Sequence, residues 1–483
     1  MRKTTGSFRL VSGLFVPFLA TGLVLGTACG DDPEKAGGDT SADGVDGADG
    51  DVPTDPWAAP AETGAWRALY NDRGRLPTNQ TENELWLMNS DGTENLALTE
   101  LGGLKDLDPP LSCNYGCIVS PNMKWIAVVT GPPSASGFEI RLGRFNSDMK
   151  VALLKGGVIE DVAHFVFAAD RIFYSKQAGC TGAACTYDFS LIELEDNVNL
   201  PLPFLTFPTG DELVDSNFRG RFRVSEDGKN MVMLKTTIRS VGVWLWRDGT
   251  GLIELDFFCK FGTKDNCSGT GSEYNDYDPV ALDPTGRYIA FFSFADRWQR
   301  INVYDTQNPS NIASSVVASV ESGSYIEKAC DTGVLADWQW QRVVGDARFT
   351  PDGKELVFMG ESACPEGGQQ PEKPRVNIHR VKLDTVLSGK TLEETDVFNI
   401  TRHPFGNVTA NRRPSAFSLT PDGATVVFTG TPTFDQSGNL IPDAGARQRN
   451  DREVYRIRLD GTNALQLTND ISFSAESPMV VGP

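Results

Sequence analysis

Apart from its charged groups, the chemistry that this chain of 483 residues can offer rests on nine cysteines and three histidines. Cys29 stands alone near the N-terminus. The other cysteines are Cys113, Cys117, Cys180, Cys185, Cys259, Cys267, Cys330 and Cys364. Their gaps hold no C-x-x-C pair and none of the Cys/His spacings that zinc requires, and no C-x-x-C-H haem attachment occurs. An even set of cysteines without metal spacing predicts disulfides. Cys180 and Cys185 fall in one loop, Cys259 and Cys267 in one link, and Cys330 and Cys364 can meet on one face despite their separation in sequence. By chain entropy that last bridge would contribute about 4 kcal/mol and the shortest ones roughly 2 kcal/mol. His164, His379 and His403 occupy unrelated places in the chain and are not expected to share a metal. No G-x-S-x-G elbow and no phosphate-binding Gly-rich loop is present, so no catalytic residue and no cofactor is predicted.

The segment that leads to Cys29 is built for export. Arg2, Lys3 and Arg9 precede an apolar run from Leu10 to Leu25, which is short for a membrane span and has no stop-transfer flank. It ends in small residues, Gly26-Thr27-Ala28, and then Cys29. The stretch LVLGTACG resembles the lipobox of bacterial lipoproteins. That resemblance implies a signal peptide over 1–28, lipidation of Cys29, and a lipid-anchored place in the bacterial cell envelope. Gly30 after the cysteine favours the outer membrane. From Gly30 to Asp55 the chain is Gly, Asp, Ala, Thr and Pro with almost nothing apolar. Such a segment cannot offset its chain entropy by burial, so 29–62 is expected to be an acidic, disordered tether. Asp43, Asp46 and Asp49 recur every third residue, whereas a calcium loop needs alternate ligands and a closing Glu. A formal net charge of −20 argues against nucleic acid as a partner.

The rest of the chain, 63–483, repeats one pattern of paired strands. A first phrase runs strand, tight turn, strand, as in CIVSPNMKWIAVVTG from Cys117, RFTPDGKELVF from Arg348 and SLTPDGATVVF from Ser418, with further copies at Phe165, Phe222 and Val280. In its Pro-Asp-Gly turns Pro fixes φ, Asp caps the turn and Gly supplies positive φ. A second phrase follows, as in ELWLMNSDGTENLALTE from Glu84 and EVYRIRLDGTNALQLTND from Glu453, with copies at Glu139, Tyr187, Gly242, Arg300 and Asn377. Each pair of phrases supplies four antiparallel strands, the signature of a propeller blade. The second phrase occurs seven times and the first only six, and the chain ends in half a phrase. The predicted fold is therefore all-β: a seven-bladed β-propeller of four-stranded antiparallel blades, with blade 1 closed by the C-terminal strand, Ser477–Val481. These phrases resemble the repeats of the TolB family of periplasmic β-propellers. Similar repeats occur in the propellers of prolyl oligopeptidases and oligogalacturonate lyases. The resemblance implies the fold and no particular partner.

Strand alternation then assigns function to a face. The Asp-Gly turns, among them Asp91-Gly92, Asp248-Gly249, Asp352-Gly353 and Asp460-Gly461, all fall on one side. The long segments, including Leu101–Gly116, Gln177–Thr186, Asn311–Gly345 and Pro432–Arg452, fall on the other with the eight cysteines. Long loops on a rigid scaffold are where binding concentrates. Asp161, Arg219, Asp278, Asp346, Arg412, Arg413 and Glu476 precede inner strands and are expected to ring the channel mouth as a mixed-charge funnel for a peptide end or polar ligand. The expected function is a monomeric scaffold that binds an envelope protein or polysaccharide. The alternative is a polysaccharide lyase or glycoside hydrolase using carboxylates at that mouth.

Overall fold

Among the described residues, the alternation of buried and half-buried positions along short strands, broken by hydrogen-bonded turns, builds an all-β fold of six antiparallel sheets. The computed structural model describes residues 57–62, 65–75, 81–113, 117–131, 137–181, 184–195, 205–207, 222–236, 240–259, 280–295, 298–308, 312–319, 342–362, 375–390, 392, 396–401, 416–430, 453–468 and 473–481. All of them belong to the unit Asp55–Pro483. Among the described residues no helix is long and apolar enough to cross a membrane.

The turns explain why the repeats fold alike. In three of them the hydroxyl of Ser225, Thr350 or Thr420 donates to Asp227, Asp352 or Asp422 at 2.6, 2.7 and 2.6 Å. The same hydroxyl oxygens accept the N–H of Asn230, Glu355 and Thr425, each at 3.0 Å, as the next strand begins. Gly353 and Gly423 close their turns at φ 70° and 69°, where a Cβ would be strained.

Five sheets have four strands. In the first, the C-terminal strand Phe473–Val481 pairs with Arg67–Arg75, which is followed outward by Thr81–Asn89 and Leu96–Ala97. The third sheet begins at Phe222–Val224, the fourth at Val280–Leu282, the fifth at Arg342–Phe349 and the sixth at Ala416–Leu419. Among the described strands no sheet closes on itself. The second sheet is the departure from seven blades. Its seven strands include the 18-residue Val151–Ala168, which pairs with Phe138–Phe145 along one part and with Arg171–Thr181 along the other. One continuous strand thus joins two repeats that the sequence separates. Gly156 and Asp161, at φ 74° and 57°, bend this strand without ending it. The two halves of the sheet share a core that includes Trp125, Ile140, Ile159, Phe165 and Ile172.

The cores run around a ring. First and second sheets share Leu87, Ile126 and Val481, and the second and third share Phe173, Phe189 and Phe222. Third and fourth share Val243 and Phe291, fourth and fifth share Ile301 and Phe358, and fifth and sixth share Ile378 and Phe428. The sixth returns to the first through Val427, Val454, Tyr70 and Val480. This is a propeller arrangement of mostly four-stranded blades.

Two local expectations change. The segment Gln177–Thr186, expected as an irregular loop, is paired strand wherever it is described, with Cys180 and Cys185 in direct register. The tether does not run to residue 62. Trp57 stacks on Phe398 at 5.5 Å, Arg458 donates to the Pro60 carbonyl at 2.9 Å, and Thr425 donates to Glu62 at 2.9 Å. Trp57 supplies the apolar surface that the acidic segment before it lacks, so the last residues of the expected tether form a strap across the fifth and sixth sheets.

Candidate functional site

The long strand Val151–Ala168 of the second sheet touches Phe222–Val224, and the first strands of the following sheets then touch in turn: Val280–Leu282, Arg342–Phe349, Ala416–Leu419 and Phe473–Val481. They surround the axis, and a charged cluster ties two that are not consecutive. Asp346 in Arg342–Phe349 accepts from Arg223 of Phe222–Val224 at 3.1 Å, a contact between residues 123 apart in sequence. The Ala347 N–H donates to that same oxygen at 3.0 Å, and the other oxygen accepts from Arg348 Nε at 2.9 Å. Arg348 also lies over the Phe417 ring, 5.8 Å from its centre. The Asp346 side chain is 16 % exposed, while those of Arg223 and Arg348 are 46 % and 45 % exposed. Burial works to raise the Asp346 pKa, but Arg348 and Arg223 outweigh it and hold the carboxyl below its ordinary range. The cluster is thus one ionised carboxylate shared by two guanidiniums.

A second polar feature opens on the face of the long segments. It is a cleft of about 520 Å³ between Pro109–Ser112, Thr130–Gly131, Gly137–Arg141 and Glu160–Asp161. The link between the first and second sheets forms one wall. There the Cys113–Cys117 disulfide fixes Cys113, in the segment leading from that wall, to the start of Cys117–Val119. Within the cleft Thr130 donates to Glu139 at 2.7 Å, and Arg141 Nε donates to the same oxygen at 3.2 Å. The Thr130 bond, with help from Arg141 and against burial, holds the Glu139 pKa below its ordinary value. Burial does raise the pKa of Glu226, which stands in the turn after Phe222–Val224 and not in the cleft.

The predicted funnel is only partly realised by what the structure describes. Asp161, Asp346 and Glu476 lie inside strands, not ahead of them, because pairing begins earlier than the apolar pattern suggests. Asp346 is at the axis, whereas Asp161 is in the wall of the cleft. Arg219, Asp278, Arg412 and Arg413 lie outside the described residues, as do Cys29, Cys267, Cys330, Cys364 and His403. Cys259 ends the strand Gly251–Cys259, paired with Ser240. His164 packs edge-on against Phe222 at 5.0 Å, and His379 belongs to a different sheet. Among the described residues no group of three His, Cys, Asp or Glu side chains converges on a metal site. Sequence reasoning missed Arg223 and Arg348. Both stand two residues before the turn hydroxyl, Ser225 or Thr350, and that shared place in the repeat was the available signal.

No family model matches the chain, and no curated protein matches it. Several solved structures are similar to it. One is TolB from Acinetobacter baumannii, at 13 % identity and a TM-score of 0.31, covering 75 % of this chain and 84 % of that one. Another is a functionally unknown protein from Desulfotomaculum acetoxidans DSM 771, at 10 % identity and a TM-score of 0.41, covering 86 % and 99 %. A third is the Pyrococcus horikoshii acylaminoacyl peptidase, at 11 % identity and a TM-score of 0.44, covering 83 % of this chain and 50 % of that one. The arrangement of sheets defines the class, a β-propeller of mostly four-stranded antiparallel blades.

Proposed function

We propose that this chain is a lipid-anchored envelope scaffold that binds a protein or polysaccharide partner with the face that carries the cleft. The observation that supports this reading is the opposition of two attachments. The strap reaches Thr425, just after the Thr420–Gly423 turn, and Arg458, just before the Asp460-Gly461 turn. Its docking side is therefore the short-turn face. The cleft opens on the other face, between the long connections. The strap, the first described part of the chain after Cys29, thus docks on the face away from the cleft. The hydrolase alternative needs a carboxyl held protonated near pH 7 as general acid. Glu139 is held the opposite way.

Two measurements test the reading. Cys29→Ser should move the protein from the membrane fraction to the soluble one, since anchoring by two or three acyl chains depends on that sulfur. In a crosslinked pull-down from intact envelope, Arg141→Glu with Glu160→Arg should lose the partner. Reversing Asp91, Asp248 and Asp460 on the turn face should keep it. A partner lost only with the turn-face changes would reverse the assignment.

A further inference from the structure

The axial cluster has a charge imbalance that its own residues do not remove. Asp346 is a single carboxylate, and two guanidiniums share it. Among the described residues Arg223 gives Asp346 one Nη2 contact and has no other hydrogen bond or ion pair, although a guanidinium carries five N–H donors. Both arginine side chains are close to half exposed, so the remaining donors are within reach of a ligand. Asp346 stays ionised at neutral pH, which leaves a local surplus of one positive charge inside a chain of net charge −20.

From this geometry we infer that the axis is a binding site for a single carboxylate, held by Arg223 and Arg348, on a ligand that is otherwise uncharged or basic. The inference rests on the scaffold reading above and specifies the chemistry such a scaffold would recognise. Planar guanidinium forks match a planar carboxylate through paired N–H···O bonds. A dianionic phosphate would exceed the surplus and face Asp346 as a like charge. A polyanion would be repelled by the acidic surface at long range, whereas a basic segment ending in one carboxylate would be attracted to it. The C-terminus of a peptide is the simplest group with that description.

The test uses the full-length protein in detergent and two probes, acetyl-trialanine with a free C-terminus and the same peptide as its carboxamide. In calorimetric or NMR titration at low salt, the acid should bind at least tenfold more tightly than the amide, and salt should weaken it. Arg223→Gln and Arg348→Gln should each remove most of that preference while thermal melting stays cooperative. Inorganic phosphate should compete poorly with wild-type protein and better with Asp346→Asn. Equal binding of acid and amide, or no binding of either, overturns the inference, and the wild-type comparison stands even if a variant fails to fold. The result is separable from the scaffold reading. If envelope capture follows the cleft variants while the acid shows no preference, only the axial site fails. If the acid is preferred and capture is absent, only the scaffold reading fails.

Discussion

His379 is fully buried in Arg375–Lys382, with the Phe358 ring stacked on it at 5.7 Å. Desolvation lowers its pKa from 6.5 to about 3. The imidazole is therefore neutral in the folded chain through the whole mildly acidic range. Once unfolded it takes up a proton below about 6.5. Between pH 6.5 and about 3 the unfolded state binds more protons, so stability falls as the pH falls. The slope from this one residue is about 1.4 kcal/mol per pH unit. Carboxylates such as Asp346, whose pKa is lowered, add a loss in the same direction, but only nearer pH 4 and below. Denaturant unfolding at pH 7 and pH 5 separates the two. His379→Leu should lower stability at pH 7 through imperfect packing yet show a flatter change between the two pH values. An unchanged slope in the variant would mean that the imidazole is not the group that titrates.

At the scale of single strands, the C-terminal segment carries more than its own pairing. Phe473–Val481 covers the edge of Arg67–Arg75, and Met479, Val480 and Val481 contribute to cores on both sides of the first sheet. The Val480 N–H also donates to Ser418 of the sixth sheet at 3.3 Å. Deleting residues 473–481 should therefore lower the melting temperature of the whole ring and broaden the transition, not fray one end; a variant melting like the full chain would show that the strand is dispensable. This strand was legible in the sequence because half a phrase at one end matched the missing half at the other. The turns were legible too, since Pro-Asp-Gly and its preceding Ser or Thr act over five residues. The continuity of Val151–Ala168 was not. A bend at Gly156 and Asp161 and a true strand break leave the same small and polar residues behind, and only pairing to neighbours on both edges distinguishes them. The strap was missed for a related reason, because one tryptophan does not alter the composition of an acidic stretch. The partnership of Arg223 with Asp346 was beyond reach, since it joins sheets whose order around the axis is known only after folding.

Across the whole molecule the cores form a ring, so each sheet depends on two neighbours and the seam between the sixth and first sheets is where the chain must be fastened. The last strand fastens one side of it. On the other side, the strap lies across the fifth and sixth sheets and rests on an unusual buried cation. Arg380 is 1 % exposed and pairs with Glu355 at 2.9 Å. Its guanidinium lies 5.1 Å from the centres of both the Trp57 and Phe398 rings and donates to the Trp57 carbonyl oxygen. Lys382 also lies over the same indole, 5.2 Å from its centre. A buried charge loses stability when part of its surroundings is removed, because the lost contacts are not replaced by full hydration. Trp57→Ala removes the indole from two cations at once, and a desolvated cation–π contact is worth about 2 kcal/mol. The variant should melt lower than the wild type, and a protease should cut within the strap much sooner than in the wild type, while the sheets still unfold in one transition. A second variant, Phe398→Leu, keeps the strap's own residues and should give a smaller loss. If Trp57→Ala neither lowers the melting point nor speeds cleavage, the strap does not fasten the ring.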